Sequence, residues 1–154
     1  MSALMTVGEL ARVLSARSVP AEVHADGRIG FSSVSTDSRT LSTGALFVAL
    51  RGERFDGHDY AARARDNGAA AALVERRVDV DVPQLIVTDS KRAFGLAAAY
   101  WRSRFSLPVI AVAGSNGKTT VTQMVAAILS AAYGEKNRLA TRGNLNNDIG
   151  VPLT

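Results

Sequence analysis

The first ninety residues alternate between stretches with helical and with strand-like spacing of apolar positions. Leu10, Val13 and Leu14 fall on one face of a predicted helix. Thr6 and Glu9 precede them as a capping box, in which each side chain would close the first helical turn for the other residue. Residues 29–35 alternate loosely between apolar and polar positions, which predicts a strand. Short apolar runs predict further strands over 45–50, 70–74 and 84–88.

Helical patterns lie between and behind these strands. One covers 60–67 and ends at Gly68, a residue type favoured just past a helix end. A longer one covers 90–104, with Ser90 as its cap. Because strands that alternate with helices form parallel sheets through right-handed crossovers, the pattern predicts an α/β fold.

The segment from Phe105 to Pro108 interrupts the long helix, and we place a domain boundary there, with domains over 1–105 and 106–154. The second domain repeats the alternation with a strand over 109–113, a helix over 118–132 and a strand-like run over 138–141. Two strands are too few to bury such a helix and cover the other face of the sheet. We therefore expect a small N-terminal α/β domain followed by the truncated beginning of a parallel-sheet domain.

Residues 109–120 carry the strongest chemical signal. An apolar run leads into the phosphate loop, Gly114-Ser115-Asn116-Gly117-Lys118-Thr119-Thr120, and a helical pattern follows at once. The glycines let backbone N–H groups turn inward, and the helix N-terminus adds partial positive charge. Lys118 can bridge terminal phosphates, and the Thr119 hydroxyl can bind Mg²⁺. Val112 stands where the longer P-loop pattern has its first glycine, and a structural glycine turn is the alternative interpretation.

Composition narrows the class of protein. The 154 residues are 47% apolar and 21% charged, which is typical of a globular protein, and no apolar run is long enough for a membrane span. The N-terminus lacks the pattern of a signal peptide, and the absence of cysteine excludes disulfides and thiolate metal sites. We expect a cytoplasmic protein. The net charge of +4 comes from scattered basic residues, which argues against nucleic-acid binding and suits a small anionic ligand.

Two polar loops flank the predicted strand over 45–50, at residues 36–39 and 51–59. Both can converge at one end of a small sheet. Ser38 is then suited to hold a uracil or ribose edge, and Arg39 or Arg54 a diphosphate. The alternative is structural: Asp37 and Arg39 form a turn-stabilising pair, with Ser38 as a cap.

Residues 143–150 contain three asparagines, Asn144, Asn146 and Asn147. Their amides can donate to phosphate oxygens and accept from a ligand, although asparagine also suits plain turns. Neighbouring parallel strands end on the same side of a sheet, which favours a ligand-binding loop. His58, in the polar loop after the 45–50 strand, is a further candidate ligand contact, and no metal pair with His24 is expected.

Three of these stretches resemble the Mur ligases. The phosphate loop is similar to the ATP loop of that family, which also lacks the first glycine of the longer pattern. Residues 37–58 are similar to the uridine-diphosphate domain of its two later members. Residues 143–154 look like the member that adds D-alanyl-D-alanine to UDP-N-acetylmuramoyl-tripeptide, and this tail is the most specific part of a resemblance that covers the whole chain.

The resemblance implies an enzyme that uses ATP and Mg²⁺ to phosphorylate the terminal carboxylate of its substrate, after which the amine of D-alanyl-D-alanine attacks the acyl phosphate. It implies that the phosphate loop holds ATP, with Lys118 stabilising charge on the γ-phosphate and Thr119 binding Mg²⁺. Asn146 and Asn147 would line the floor between ATP and the acceptor site. The residues implied to contact the UDP portion are Thr36, Ser38, Glu53, Arg54 and Phe55.

The family's metal-binding glutamate, modified lysine, adenine contacts and amine-binding domain have no counterpart in this sequence. We therefore expect a chain that binds ATP weakly and does not ligate by itself. We also expect it to be a monomer. The alternatives are the sister ligase that adds the third residue of the muramoyl peptide, a folylpolyglutamate synthase-like ligase, a non-catalytic nucleotide-binding module, and a generic P-loop kinase or ATPase. A self-sufficient module predicts a closed fold, whereas the ligase predicts exposed apolar surface where strands are missing.

Overall fold

The computed structural model describes residues 3–141, 143 and 145–154, so that Asn144 of the amide-rich loop lies outside the described residues. The chain divides into two compact units, Met1–Arg102 and Ser103–Thr154. The division falls close to the boundary that the sequence predicts after residue 105.

The first unit is an α/β fold. Its elements are β1 (Met5–Thr6), α1 (Val7–Ser15), β2 (Ala21–His24), β3 (Gly30–Phe31), β4 (Ser33–Ser35), β5 (Ala45–Val48), a 3₁₀ helix (Gly57–Tyr60), α2 (Ala61–Asp66), β6 (Ala71–Val74), β7 (Gln84–Val87) and α3 (Ser90–Ser103). A five-stranded sheet has the order β2-β7-β6-β5-β4. Its strands β4 to β7 are parallel, and β2 is antiparallel to β7. This confirms the α/β fold with a parallel sheet that the alternating pattern predicts.

The centre of the sheet explains the purely apolar runs in the sequence. Every residue of β5 and β6 is buried, as expected of parallel strands covered on both faces. The register pairs Ser35 at the end of β4 with Phe47 in β5. The segments that follow these two neighbouring strands therefore emerge at one edge of the sheet.

The run predicted as one strand over 29–35 serves two sheets. Phe31 in β3 pairs with Met5 in a small antiparallel ribbon, whereas Ser33 in β4 pairs with Ala45 in the main sheet. Between them, the backbone N–H of Ser32 donates to the carbonyl of Gly44 at 2.9 Å. The extended backbone predicted for this segment is confirmed. The segment forms two strands rather than one because its two halves pair with different partners, which the periodicity of the sequence does not encode.

The helix caps differ in part from prediction. The Thr6 hydroxyl accepts from Glu9 N at 3.1 Å, as the capping box requires, while the Glu9 carboxylate accepts the Tyr100 hydroxyl at 2.8 Å. The cap of α3 is Asp89, whose carboxylate accepts from the N–H of Arg92 at 2.8 Å. The prediction of Ser90 as that cap was wrong, because a carboxylate one residue earlier reaches the free N–H groups of the first turn.

Ser90 instead links α3 to the end of β6. Its backbone N–H and its hydroxyl both donate to Oε1 of Glu75, at 3.0 and 2.9 Å. Ser90 is fully buried, and this carboxylate satisfies both of its donors.

The second unit contains one α-helix among its described residues, α4 (Lys118–Tyr133), and short 3₁₀ turns over Glu135–Asn137 and Val151–Leu153. The helix predicted over 118–132 is confirmed. The strands predicted over 109–113 and 138–141 were wrong, because an extended segment becomes a strand only by pairing, and no ladder includes the described residues of these segments. None of the helices in the described part of the chain has the length and apolarity needed to cross a membrane.

Apolar side chains of the second unit lie on its surface. Val109 and Ile110 are 69% and 60% exposed, and Met124 and Ile128 on α4 are 60% and 66% exposed. Groups of exposed apolar side chains typically mark surface that another part of a fold or a partner covers. This is the exposed apolar surface that the ligase interpretation predicts.

Candidate functional site

A cleft of about 440 Å³ lies where β4 and β5 end in the first unit. It is lined by the turn after β4, by β5 and the loop behind it, and by the start of α2. The lining residues are Thr36, Asp37, Ser38, Arg39, Phe47, Leu50, Phe55, Gly57, Tyr60 and Arg63. The fold thus brings together four of the six residues that the sequence assigns to the UDP site, namely Thr36, Ser38, Arg39 and Phe55.

Arg39 is held by Asp37 across the mouth of this cleft. Its Nε lies 2.9 Å from Oδ1 and its Nη2 2.7 Å from Oδ2 of the carboxylate, and its backbone N–H also donates to Oδ1. These hydrogen bonds from Arg39 lower the pKa of Asp37 to about 2. The turn-stabilising pair that the sequence left open is therefore present, and the Asp37 charge offsets that of Arg39.

Ser38 lies deepest of the predicted ligand contacts. The residue is 5% exposed, and its carbonyl accepts from the side-chain amide of Asn67 at 2.8 Å. Among the described residues, no hydrogen-bond partner faces the Ser38 hydroxyl, which leaves it available as a donor or acceptor inside the cleft.

Glu53 and Arg54 stand apart from the cleft lining. Both are exposed on the loop that a bridge between Arg51 and Asp56 closes. Phe55 on the same loop does line the cleft, with 57% of its surface exposed. Of this predicted trio, only the aromatic ring borders the cavity.

His58 does not face a ligand, and this prediction was wrong. Its side chain is fully buried, its Nδ1 hydrogen-bonds to Oδ1 of Asp56, and its Nε2 accepts from the N–H of Glu75 at 2.7 Å. Because Nε2 is an acceptor, the proton of a neutral imidazole is on Nδ1. A polar loop in the sequence does not reveal that one of its residues turns inward to bind the end of β6.

Asp56 is the centre of a network that connects the buried His58 ring to the partly exposed Arg76. It accepts from the backbone and ring of His58 and, through Oδ2, from Arg76 Nη1 at 2.9 Å. Burial alone would raise the pKa of Asp56, but the hydrogen bonds from His58 and Arg76 outweigh it and hold the pKa well below its ordinary value. The network holds the C-terminal end of the loop that carries Phe55, and the bridge between Arg51 and Asp56 joins its two ends.

Tyr60 and Arg63 are cleft residues that the sequence analysis missed. Tyr60 is the N-cap residue of α2 and Arg63 lies inside its first turn. The spacing of three residues places them on the same side of the helix. That spacing was visible in the sequence, but nothing there shows which side of so short a helix faces the polar turn after β4.

The phosphate loop of the second unit has a backbone suited to anions. Gly114 and Gly117 have φ angles of +150° and +76°, and Gly117 is the N-cap of α4. The first N–H groups of a helix have no intrahelical partner, so those behind Gly117 are open to a ligand. Lys118 Nζ lies over the loop, 2.7 Å from the carbonyl of Gly114. Ser115, Asn116, Thr119 and Thr120 are exposed.

A magnesium ion fits this loop only together with a phosphate. In the described part of the chain, no group of three or more His, Cys, Asp or Glu residues is arranged to hold a metal ion. Mg²⁺ usually keeps several waters and takes one or two protein ligands beside phosphate oxygens. The exposed Thr119 hydroxyl in the first turn of α4 is a protein ligand of this kind.

Asn147 has a structural role in the amide-rich loop. Its Oδ1 accepts from the N–H groups of Ile149 and Gly150, at 3.1 and 2.6 Å, and so closes the turn before the last 3₁₀ helix. Asn146 is exposed. The plain-turn interpretation therefore describes the side-chain oxygen of Asn147, while both asparagines of the predicted pair are exposed.

Comparison with known proteins gives one consistent family. The sequence model of the Mur ligase family, catalytic domain, matches residues 30–133. The UDP-N-acetylmuramoyl-tripeptide–D-alanyl-D-alanine ligase of Escherichia coli K12 is 49% identical over 150 residues, which are 97% of this chain and 31% of that protein. The UDP-N-acetylmuramoyl-L-alanyl-D-glutamate–2,6-diaminopimelate ligase of Bacillus licheniformis is 41% identical over 71% of this chain and 23% of its own length.

Solved structures give the same result. The UDP-N-acetylmuramoylalanyl-D-glutamyl-2,6-diaminopimelate–D-alanyl-D-alanyl ligase of Acinetobacter baumannii matches with a TM-score of 0.80 and 40% identity, over 97% of this chain and 32% of its own. The MurF ligase of Thermotoga maritima, solved in complex with ADP, matches with a TM-score of 0.67 and 35% identity, over 79% of this chain and 28% of its own. The chain thus spans about a third of the length of the relatives it matches.

Proposed function

Because this chain belongs to the Mur ligase family, we propose that it forms part of an ATP-dependent ligase of peptidoglycan precursor synthesis, which joins D-alanyl-D-alanine to UDP-N-acetylmuramoyl-tripeptide. The observation that carries this proposal is the 49% identity, over 97% of the chain, to an Escherichia coli enzyme of that name. The geometry of the phosphate loop and of the cleft supports it.

In this proposal the phosphate loop holds the triphosphate of ATP. The N–H groups behind Gly117 and the ammonium of Lys118 face the phosphate oxygens. A terminal carboxylate oxygen of the UDP-linked peptide attacks the γ-phosphorus, ADP leaves, and an acyl phosphate forms. Lys118 balances the charge that spreads over the transferring phosphoryl group.

The second step forms the amide. The amine nitrogen of D-alanyl-D-alanine attacks the acyl carbon, inorganic phosphate leaves with the C–O bond electrons, and the nitrogen loses a proton. Thr119 would hold Mg²⁺ at this loop, and the bound ion would supply further charge neutralisation. Asn146, exposed in the last loop, is proposed to contact the nucleotide side of the acceptor site.

The cleft of the first unit is proposed to hold the UDP portion. The hydroxyls of Thr36 and Ser38 offer hydrogen bonds to the base or ribose, and Phe55 offers an aromatic face. Glu53 and Arg54, exposed on the same loop, are proposed to contact the UDP portion from outside the cleft lining. Asp37 offsets the Arg39 charge, so a neutral pair borders this part of the cleft.

The 154 residues alone are proposed not to ligate. Thr119 is the candidate metal ligand on the phosphate loop, and no carboxylate cluster supplements it among the described residues. The second unit also exposes apolar side chains along α4 that a closed ATP-binding domain would bury. We therefore expect weak nucleotide binding and no phosphate release from this chain by itself.

A chimera tests the proposal directly. This chain replaces its 150 aligned residues in the Escherichia coli ligase, and phosphate release is measured with ATP, UDP-N-acetylmuramoyl-tripeptide and D-alanyl-D-alanine. Turnover is expected from the chimera and is expected to fall by at least about 10³-fold in its Lys118→Met variant. Lys91→Met, a lysine of the first unit, is the control and should leave turnover unchanged.

Two outcomes would contradict this proposal. One is phosphate release by the isolated 154-residue chain. The other is a chimera that binds UDP-N-acetylmuramoyl-dipeptide more tightly than the tripeptide, which would favour the sister ligase that the Bacillus licheniformis relative represents.

A further inference from the structure

The cleft beside β4 and β5 contains two arginines with different surroundings. Arg39 forms a two-pronged ion pair with Asp37, with contacts of 2.7 and 2.9 Å. Arg63 on α2 lines the same cleft. Within the described residues, no carboxylate lies within ion-pair distance of Arg63, and its side chain is exposed. The net positive charge of the cleft therefore comes from Arg63.

The remaining walls suit a flat ring joined to an anion. Phe55 and Tyr60 are 57% and 45% exposed, and both line the cleft. Large aromatic side chains exposed beside a cavity offer faces on which a base can stack. Tyr60 and Arg63 are separated by one helical turn, so a ligand stacked on the ring brings its charged end within reach of the guanidinium.

We propose that Arg63 is the specificity residue that binds the diphosphate of the UDP-linked substrate, and that Arg39 is a positioning residue that shapes the turn after β4. This inference rests on the proposed function and adds to it a residue that sequence reasoning did not identify. A guanidinium without a carboxylate partner can give two N–H bonds to phosphate oxygens. Arg39 would first have to break its ion pair with Asp37 before its guanidinium could bind a phosphate in the same way.

Binding by the 154-residue chain tests this assignment. Calorimetry compares UDP with uridine for the unchanged chain and for Arg63→Gln, which keeps a long polar side chain without the charge. We expect UDP affinity to fall about tenfold and uridine affinity to stay within about twofold. Arg63→Lys should recover part of the lost UDP affinity, because lysine restores the positive charge. Recovery should be incomplete, because the ammonium lacks the planar, two-pronged donor geometry of the guanidinium.

A neighbouring arginine supplies the matched control. Arg65 lies on the same helix, is paired with Asp66 at 2.7 Å and is not part of the cleft lining. Arg65→Gln should leave both ligands unaffected. Equal loss of UDP affinity in the Arg63 and Arg65 variants would reveal a general charge effect and overturn the assignment.

The remaining outcomes separate the two proposals. If the unchanged chain binds UDP and Arg63→Gln binds it equally well, the role of Arg63 is wrong while the UDP cleft stands. If the unchanged chain binds neither UDP nor UDP-N-acetylmuramoyl-tripeptide, the UDP cleft itself is wrong, and the role of Arg63 is overturned with it.

Discussion

The buried ring of His58 connects Asp56, two residues before it, to the backbone of Glu75 at the end of β6. The Asp56 carboxylate accepts from the ring, from the backbone N–H of His58 and from Arg76. One imidazole thus joins the loop that carries Phe55 to the neighbouring strand. Because β5 and β6 are adjacent, this connection fixes the loop at the edge where the cleft opens.

Replacing His58 tests how much this connection contributes to stability. His58→Ala leaves the buried N–H of Glu75 and an oxygen of Asp56 without their partner and opens a cavity. We expect the free energy of unfolding to fall by about 3 kcal/mol, measured by urea denaturation followed by circular dichroism. His24→Ala is the control, since that ring is partly exposed beside Glu22 and its loss should cost under about 1 kcal/mol. Equal losses in both variants would contradict a special role for His58.

Acid should weaken the turn after β4. Arg39 lowers the pKa of Asp37 from 3.8 to about 2. A lowered folded-state pKa stabilises the fold above the unfolded value, and this contribution is lost as the pH falls through the folded value. The stability advantage of the unchanged chain over Asp37→Asn should therefore be complete above about pH 5 and shrink as the pH falls from about 4 to 2.

Urea midpoints of the two chains, measured across this pH range, check the prediction. Asp26→Asn is the comparison, because Asp26 forms a similar exposed pair with Arg28, away from the cleft, and its pKa is also lowered. Both differences should diminish in acid. An Asp37→Asn difference that grows as the pH falls would have the wrong sign and would exclude the ion pair as its cause.

Two glycines of the cleft loop should respond differently to an added methyl group. A Cβ on Gly57 would lie 2.6 Å from the carbonyl oxygen and 2.7 Å from the nitrogen of Leu50, both backbone atoms. A Cβ on Gly52 would meet the ring of Phe55, an exposed side chain that can move. Gly57→Ala should cost about 2–3 kcal/mol of stability, and Gly52→Ala less than about 1 kcal/mol.

Thermal unfolding measures the stability of both variants, and UDP titration measures the cleft. Because Gly52→Ala displaces a ring that lines the cleft, it should weaken UDP binding while the fold stays intact. Similar unfolding temperatures for the two alanine variants would contradict the close backbone approach at Gly57.

The sequence was informative where apolar periodicity and burial coincide. The buried runs of β5, β6 and β7 and the glycine that ends α2 were predictable, because central parallel strands need continuous apolar residues and Gly68 has a φ angle of +89°. The convergence of the polar turn after β4 with Phe55 also followed from strand order. These features were predictable because they depend on neighbouring residues in the sequence, or on two adjacent strands that end at the same edge of the sheet.

Other features depend on partners that are distant in sequence. His58 turns inward because the N–H of Glu75, 17 residues later, needs an acceptor. The Arg39 side chain is paired with Asp37 and so is not free to bind a ligand. Arg63 lines the cleft because the opposite side of α2, with Ala61 and Ala64, is buried. The apolar residues at 109–113 have strand propensity but pair with no strand, and propensity alone does not form a ladder.

The phosphate loop offers a test in which backbone strain can be separated from ligand contact. Gly117 and Gly134 lie at opposite ends of α4, have φ angles of +76° and +85°, and have no atom within 4 Å of an added Cβ. An alanine costs about 1–2 kcal/mol at Gly117 through its left-handed backbone. At Gly134, where ψ is 151°, the backbone lies in a different region that is almost restricted to glycine, and an alanine costs about 1–3 kcal/mol. Only Gly117, however, sets the direction of the N–H groups that are proposed to hold ATP.

In the chimera with the Escherichia coli ligase, Gly117→Ala should raise the KM for ATP about tenfold or more, because alanine disfavours the positive φ that directs the N–H groups behind it. Gly134→Ala should lower thermal stability by a similar amount and leave the KM for ATP unchanged. A rise in KM of the same size in both variants would mean that the loss comes from weakening α4 as a whole. That result would contradict the proposal that the phosphate loop binds the nucleotide.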